Sequence, residues 1–190
     1  MEQTKNIMIV GVGGQGSLLA SKLLGNLLVD EGYDVKVSEV HGMSQRGGSV
    51  VTYVRYGDKV YSPIIDKGEA DFIVSFEKIE AARYASYLKK DGKIIVNTQE
   101  IEPMPVITGA AEYPSDALDK LAASGIEVDA IDALTPATEA GSPKAVNIVL
   151  MGRLSKYMTI SEDKWINAIQ KSVNPKFVEM NIKAFSLGKK

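Results

Sequence analysis

Short apolar runs alternate with glycine-rich breaks along the first third of the chain. Asn6-Ile-Met-Ile-Val10 predicts a strand, and it ends in the cluster Gly11-Val-Gly-Gly-Gln-Gly16. In Ser17–Glu31, leucines at 19, 23 and 27, with Leu24 and Leu28 beside them, recur at helical spacing. Gly32 stops that helix and Asp34–Val40 reads as a second strand. Strand, glycine loop, helix, strand is a βαβ opening, from which a parallel sheet follows.

Beyond His41–Gly48, the stretch Ser49–Tyr56 is rich in β-branched and aromatic residues. Gly57-Asp58 makes a turn and Val60-Tyr61 resumes the strand pattern, which predicts an antiparallel hairpin. Asp71–Phe76 predicts a buried strand, Glu77–Leu88 an amphipathic helix and Lys93–Asn97 another strand. Pro103, Pro105 and Pro114 point to loop and short edge strands. Ser115–Ala123 reads as a short helix, Ile126–Ile131 as a strand and Thr135–Gly141 as a loop of small residues. Helices then start at Ser142-Pro143, at Ser161 with Glu162 and Asp163 behind it, and at Asn174-Pro175, each with a capping residue ahead of a proline or an acid. The expected fold is α/β: one Rossmann-like domain over residues 1–190, with a mostly parallel sheet, an antiparallel hairpin and a mainly helical C-terminal tail over 142–190.

Composition narrows the chemistry. The chain has 190 residues, no cysteine and one histidine, His41. Disulfides, a cysteine nucleophile, a thiolate zinc site and an iron–sulfur cluster held by this chain alone are all excluded, as is a His-rich metal site. Redox chemistry must therefore use a bound organic cofactor or a partner's metal. No apolar run approaches the ~18 residues of a membrane span and no secretory leader is visible, so a cytoplasmic protein is expected. The net charge of −2 gives no case for nucleic-acid binding. Residues 141–190 nevertheless carry +6 and residues 1–140 carry −8. Solvated lysine-rich helix faces explain this plainly; a basic surface for an acidic partner or a phosphorylated cofactor is the sharper reading.

Gly11-x-Gly13-x-x-Gly16 fits the dinucleotide fingerprint in its strand-to-helix setting. Glycines permit the tight turn, and the free N–H groups of the helix start can face an anion. Glu39, at the end of the second strand, stands roughly where a ribose-binding acid would. NAD or FAD binding, close packing of helix on strand, and contact with another anion or a partner subunit all remain open on this motif alone. The second loop, His41-Gly-Met-Ser-Gln-Arg-Gly-Gly48, follows a strand at the edge where α/β proteins gather ligands. Arg46 could grip a carboxylate or phosphate, and His41 could exchange a proton near neutral pH.

Taken in order, Gly11-Val-Gly-Gly-Gln-Gly16, Ser38-Glu-Val-His-Gly-Met-Ser-Gln-Arg-Gly-Gly-Ser-Val50, Val60-Tyr-Ser-Pro63 and Gly68-Glu-Ala-Asp71 resemble the gamma-type subunits of 2-oxoacid:ferredoxin oxidoreductases. The His-Gly-Met-Ser-Gln-Arg-Gly-Gly form looks like the small (beta) subunits of the indolepyruvate branch, where pyruvate and 2-oxoglutarate relatives carry an aromatic-Gly-Pro-Glu-x-Arg-Gly version. The resemblance implies thiamine-dependent oxidative decarboxylation of an arylpyruvate to an aryl-acetyl-CoA, with electrons passed singly to iron–sulfur clusters and ferredoxin. The chain lacks the Gly-Asp-Gly…Asn-Asn signature of thiamine diphosphate enzymes, since Gly57-Asp58 is followed by Lys59 and no Asn-Asn occurs. Thiamine diphosphate, its Mg and the clusters are thus expected on a large (alpha) partner subunit, with ferredoxin reached through the complex and no nucleic-acid or membrane partner.

The two loops are expected side by side, facing the partner's thiamine site or the coenzyme A entry path. Within them, His41 and Arg46 are the candidates to support the chemistry. Gly11, Gly13, Gly14, Gln15, Gly16, Ser17, Ser44, Gln45, Gly47 and Gly48 are the candidate cofactor-binding positions, and no metal ligands are assigned. Elsewhere, Glu77, Glu80 and Arg83 read as helix-surface ion pairs, Asp129 and Asp132 as loop caps, and Trp165 with Ile166 and Ile169 as an apolar stripe.

Overall fold

The computed structural model describes residues 4–42 and 47–190. Its six strands are β1 (Lys5–Val12), β2 (Asp34–His41), β3 (Ser49–Gly57), β4 (Ala70–Ser75), β5 (Leu88–Asn97) and β6 (Glu127–Ile131). They form one sheet in the order β2-β3-β1-β4-β5-β6. β1, β4, β5 and β6 run parallel, while β3 pairs antiparallel with both β1 and β2. β2 therefore runs parallel to β1, as the βαβ opening requires, but β3 is inserted between them.

That insertion corrects the expected hairpin. β3 pairs with β2 rather than with Val60-Tyr61. The physical reason is edge occupancy: β1 and β2 already fill both hydrogen-bonding edges of β3. The Val60 N–H goes instead to the Asp34 carboxylate at 2.9 Å, and Tyr61 is left exposed.

The helices are α1 (Ser17–Asp30), α2 (Lys78–Tyr84), α3 (Met104–Ile107), α4 (Ala117–Ala123), α5 (Leu134–Ala140), α6 (Val146–Ser155), α7 (Glu162–Ser172) and α8 (Val178–Gly188). α1 and α5–α8 cover one face of the sheet, where Ile7, Ile9, Val74 and Ile95 meet Leu23, Leu24, Leu27 and Leu28. The opposite face carries Met8, Val10, Ile73 and Ile94 against Ala81, with Leu118 and Leu121 of α4 at its margin. Burial on both faces is why the central strands read as unbroken apolar runs.

Three local expectations change. Residues 135–140 belong to α5, not a loop: the Asp132 carboxylate accepts from the N–H groups of Leu134 and Thr135, and Pro136 sits in the first turn, where no helical hydrogen bond is lost. Pro105 likewise opens the short helix α3 where edge strands were expected. The helix expected over Glu77–Leu88 ends at Tyr84, passes through a 3-10 turn at Ala85–Tyr87, and Leu88 already belongs to β5.

The C-terminal helices form a core layer rather than an appended tail. In α6 every residue except Arg153 is buried. α6 and α8 approach backbone to backbone: a Cβ on Gly152 would lie 2.1 Å from the Phe185 carbonyl oxygen, and one on Gly188 2.1 Å from that of Val149. Trp165 is fully buried and its ring centroid lies 5.5 Å from that of Phe185. Three of the C-terminal cations meet acids from the first 140 residues. Lys164 pairs with Glu31 at 2.8 Å, Lys171 with Asp30 at 2.6 Å, and Arg153 grips both oxygens of Asp129 at 2.8 Å.

Candidate functional site

The two glycine-bearing segments meet at the carboxyl ends of the parallel strands. The Gly13 N–H donates to the Gly48 carbonyl at 2.8 Å, and the Gly47 N–H to the Gly13 carbonyl at 3.4 Å. Gly11, Gly13, Gly47 and Gly48 thus form a continuous rim. Met43, Ser44, Gln45 and Arg46, three of them candidate site positions, lie outside the described residues.

Gln15 closes the first turn on itself. Its Oε1 accepts from the Val12 N–H at 2.7 Å, and its Nε2 donates to the Phe76 carbonyl at 3.1 Å, just past the end of β4. The carboxamide therefore spans the crevice between β1 and β4, where doubly wound sheets pass a dinucleotide across. Gly11 is needed because a Cβ there would stand 2.9 Å from both Gln15 Oε1 and Phe76 Cβ. Gly16 adopts φ +90°, and a Cβ on it would stand 2.9 Å from Asn147 Nδ2. Asn147, buried in α6, donates to the Gly16 carbonyl at 3.3 Å.

Beside this turn lies an open cleft of about 580 Å³, lined by Gly14, Gln15, Gly16, Gln99, Leu134, Pro143, Lys144 and Val146. α1 starts there with neither a side-chain cap nor an acid in its first turn, so its leading N–H groups have no side-chain acceptor. The positive end of this 14-residue helix faces the same edge. Lys144 has no ion-pair partner among the described residues. Exposed backbone donors, a helix start and a lysine together suit a phosphorylated or otherwise anionic group.

His41 and Glu39 sit further away than the motif suggested. His41 faces Val50 across the β2–β3 ladder, and Val50 faces Gly11 across β3–β1. Two inter-strand spacings, about 10 Å, therefore separate His41 from the first glycine loop. It is exposed, with Nδ1 3.0 Å from its neighbour Gly42's carbonyl oxygen. Glu39 is displaced in the same way and meets Thr52 at 3.4 Å, so the inserted strand removes it from the ribose position beside β1.

Arg83 is exposed and pairs with Glu80 as the spacing predicts, but the two acids at the start of α2 are buried where a surface position was expected. Glu77 is 1% exposed and accepts from the N–H groups of Glu80 at 3.1 Å and Ile101 at 3.2 Å, and from the Tyr113 hydroxyl. Burial, and then that bond to Glu77, push the Tyr113 phenol up from its ordinary range. Glu80 accepts from Arg83 at 3.0 Å and from Ser49, the residue that follows the rim. These contacts tie α2 and the segments after β5 to the glycine rim. Periodicity could not show this, because it reports one helix face and not what closes over it. Lys144 and Gln99 were likewise missed as site residues, being single polar positions that only the fold brings to Gly14.

Asp132 caps the start of α5, and Asp129 instead anchors α6 to β6. Its carboxylate is partly buried, which alone would raise its pKa, but hydrogen bonds from Arg153 and Tyr157 hold it below the ordinary value. Burial, followed by the bond to Asp129, pushes Tyr157 up to about 12.

Residues 6–190 match the family described as pyruvate ferredoxin/flavodoxin oxidoreductase. The indolepyruvate oxidoreductase subunit IorB of Thermococcus kodakarensis is 46% identical, the match covering 97% of this chain and 94% of the relative. That of Archaeoglobus fulgidus is 39% identical, over 96% and 92%. The fold matches the gamma subunit of a keto/oxoacid ferredoxin oxidoreductase from Geobacter sulfurreducens with a TM-score of 0.71, at 22% identity, covering 97% of this chain and 95% of the other. It also matches 31% of a chain of 2-oxoglutarate:ferredoxin oxidoreductase from Magnetococcus marinus, solved with 2-oxoglutarate, coenzyme A and succinyl-CoA bound, with a TM-score of 0.73, 19% identity and all of this chain covered. The chain belongs to the pyruvate ferredoxin/flavodoxin oxidoreductase family, as a gamma-type, IorB-like subunit of the 2-oxoacid:ferredoxin oxidoreductase superfamily.

Proposed function

We propose that this chain is the small subunit of an indolepyruvate (arylpyruvate) ferredoxin oxidoreductase, required for oxidative decarboxylation of aryl 2-oxoacids to aryl-acetyl-CoA with ferredoxin as electron acceptor. The carrying observation is the 46% identity to a relative of that name across nearly the whole of both chains.

The residues present do not fit every group that such a reaction uses. With no cysteine and one histidine, the chain has no ligand set for an iron–sulfur cluster, and it lacks the thiamine diphosphate signature. We assign thiamine diphosphate, its Mg and the clusters to a large alpha subunit, and the chain on its own is then inactive. It works in the cytoplasm, as a single module over residues 1–190.

Coenzyme A fits better. Its pyrophosphate suits the α1 start, with the backbone of Gly14, Gly16 and Ser17 on one side of the cleft and Lys144 on the other. Gln15 and Asn147 hold that turn in shape. The Gly47–Gly48 half of the rim joins it to the segment bearing His41 and Arg46, which support the chemistry from this side. Gln15 across the β1–β4 crevice and the displacement of Glu39 both weigh against NAD or FAD on the same turn.

The test is affinity purification from native extract, followed by assay of the chain alone and with its recovered partner. A large subunit with thiamine diphosphate and clusters, and turnover of arylpyruvate only in its presence, is the expected result. Turnover by the solitary chain, or NAD or FAD retained on it, overturns the proposal.

A further inference from the structure

We propose that Gln99 is a binding residue of the cleft, presenting its amide N–H pair to an acceptor oxygen of the bound group. Gln99 Oε1 receives two donors, Gln15 Nε2 at 3.3 Å and Asn97 Nδ2 at 3.4 Å. Both donors are oriented by main-chain partners. Gln15 takes the Val12 N–H on its oxygen and gives its Nε2 to the Phe76 carbonyl. Asn97 takes the Ala133 N–H on its oxygen, at 3.0 Å, and gives its Nδ2 to the same Phe76 carbonyl, at 3.2 Å. Neither amide can turn over without breaking a backbone hydrogen bond, so each offers N–H to Gln99.

Two incoming donors fill the two lone pairs of Gln99 Oε1. Its Nε2 has no acceptor among the described residues, and the side chain lines the open cleft. The main chain beneath it is fixed as well: the Gln99 carbonyl accepts from the Lys78 N–H at 3.2 Å, and the Thr98 N–H donates to the Ile131 carbonyl at 2.9 Å. The rim is thus polarised in one direction, and the cleft selects a ligand atom that accepts: a phosphoryl or amide carbonyl oxygen. This rests on the reading of the cleft as the coenzyme A site and adds the residue that discriminates there.

The decisive variant is Gln99→Glu. It keeps an oxygen for the Gln15 and Asn97 donors, so the rim stays assembled, but replaces the outward donor with a carboxylate oxygen. Gln99→Met removes the donor without adding charge, and Lys144→Glu tests the cleft independently. Each is measured in the complex by the KM for coenzyme A against the KM for arylpyruvate, and by calorimetric titration of the full chain with coenzyme A. Gln99→Glu is expected to weaken coenzyme A about tenfold or more, as for a lost hydrogen bond to a charged group, with the arylpyruvate KM and the thermal midpoint unchanged; Gln99→Met weakens it less. If Lys144→Glu weakens coenzyme A and both Gln99 variants behave as wild type, the cleft stands and the role of Gln99 is overturned. If no variant moves either readout, the coenzyme A reading of the cleft falls and takes the Gln99 proposal with it.

Discussion

Gly13 and Gly48 share a 2.8 Å hydrogen bond between main-chain atoms, although a helix and a strand intervene in the sequence. The strength of that join depends on how close the Gly13 turn lies to β4, and Gly11 sets the distance. Gly11→Ala puts a methyl group 2.9 Å from Phe76 Cβ and Gln15 Oε1, so the turn must lift. A loss of about 1–3 kcal/mol is expected from such overpacking, read from urea denaturation. Unchanged stability would show that the turn is free to shift.

Gly152→Ala is expected to cost more. The obstacle is the Phe185 carbonyl oxygen at 2.1 Å, which is backbone of a packed helix and cannot swing aside as a side chain would. The two helices must part, at about 3 kcal/mol or more. The urea midpoint of this variant should fall below that of Gly11→Ala.

Proton linkage gives two signatures around one contact. The Tyr157 phenol is raised in the fold to about 12, first by burial and then by its bond to Asp129. Its contribution to stability is full below the unfolded phenol value of ~10 and is lost as pH rises from there through about 12. Asp129 is shifted down, so its contribution is full above the ordinary carboxylate range and is lost as pH falls below it. Tyr157→Phe should remove the Tyr157 share of the alkaline decline between those values, with one late-titrating phenolate absorbance, and leave the share of Tyr113, whose phenol is also raised. Identical alkaline profiles for variant and wild type would contradict this.

His41→Ala and Arg46→Ala should each slow arylpyruvate-dependent dye reduction by the assembled complex, by about tenfold or more if the side chain moves a proton or holds a charge in the reaction. Subunit assembly, followed by gel filtration, should be unchanged. Wild-type turnover in both variants would remove these residues from the chemistry.

Local signals in the sequence carried much of the fold. The leucines at 23, 24, 27 and 28 are all buried, Trp165 lies in the core, and the side chains of Ser142 and Asn174 accept from the N–H groups of Lys144 and Lys176 at their helix starts. Each of these depends on residues within one or two turns. The insertion of β3 did not show, because Ser49–Tyr56 has the same β-branched pattern whichever strands flank it. Glu77 and Glu80 have the spacing of a solvated helix face, and besides Arg83 it is Tyr113, Ile101 and Ser49, far away in the chain, that make their burial tolerable. The candidate site divides in the same way. Its glycines were legible as motifs, while Lys144, Asn147 and Gln99 are isolated polar residues whose relation to Gly16 and Gln15 exists only after folding.

The placement of β3 also bears on how the molecule is made. β1 precedes both of its sheet neighbours in the chain, so β3 and β4 are synthesised after it. Its Ile7, Met8, Ile9 and Val10 have partners on both edges only when residues as late as Ser75 have emerged. At translation speeds of roughly 5–20 residues per second, that leaves an apolar edge bare for several seconds on every nascent chain.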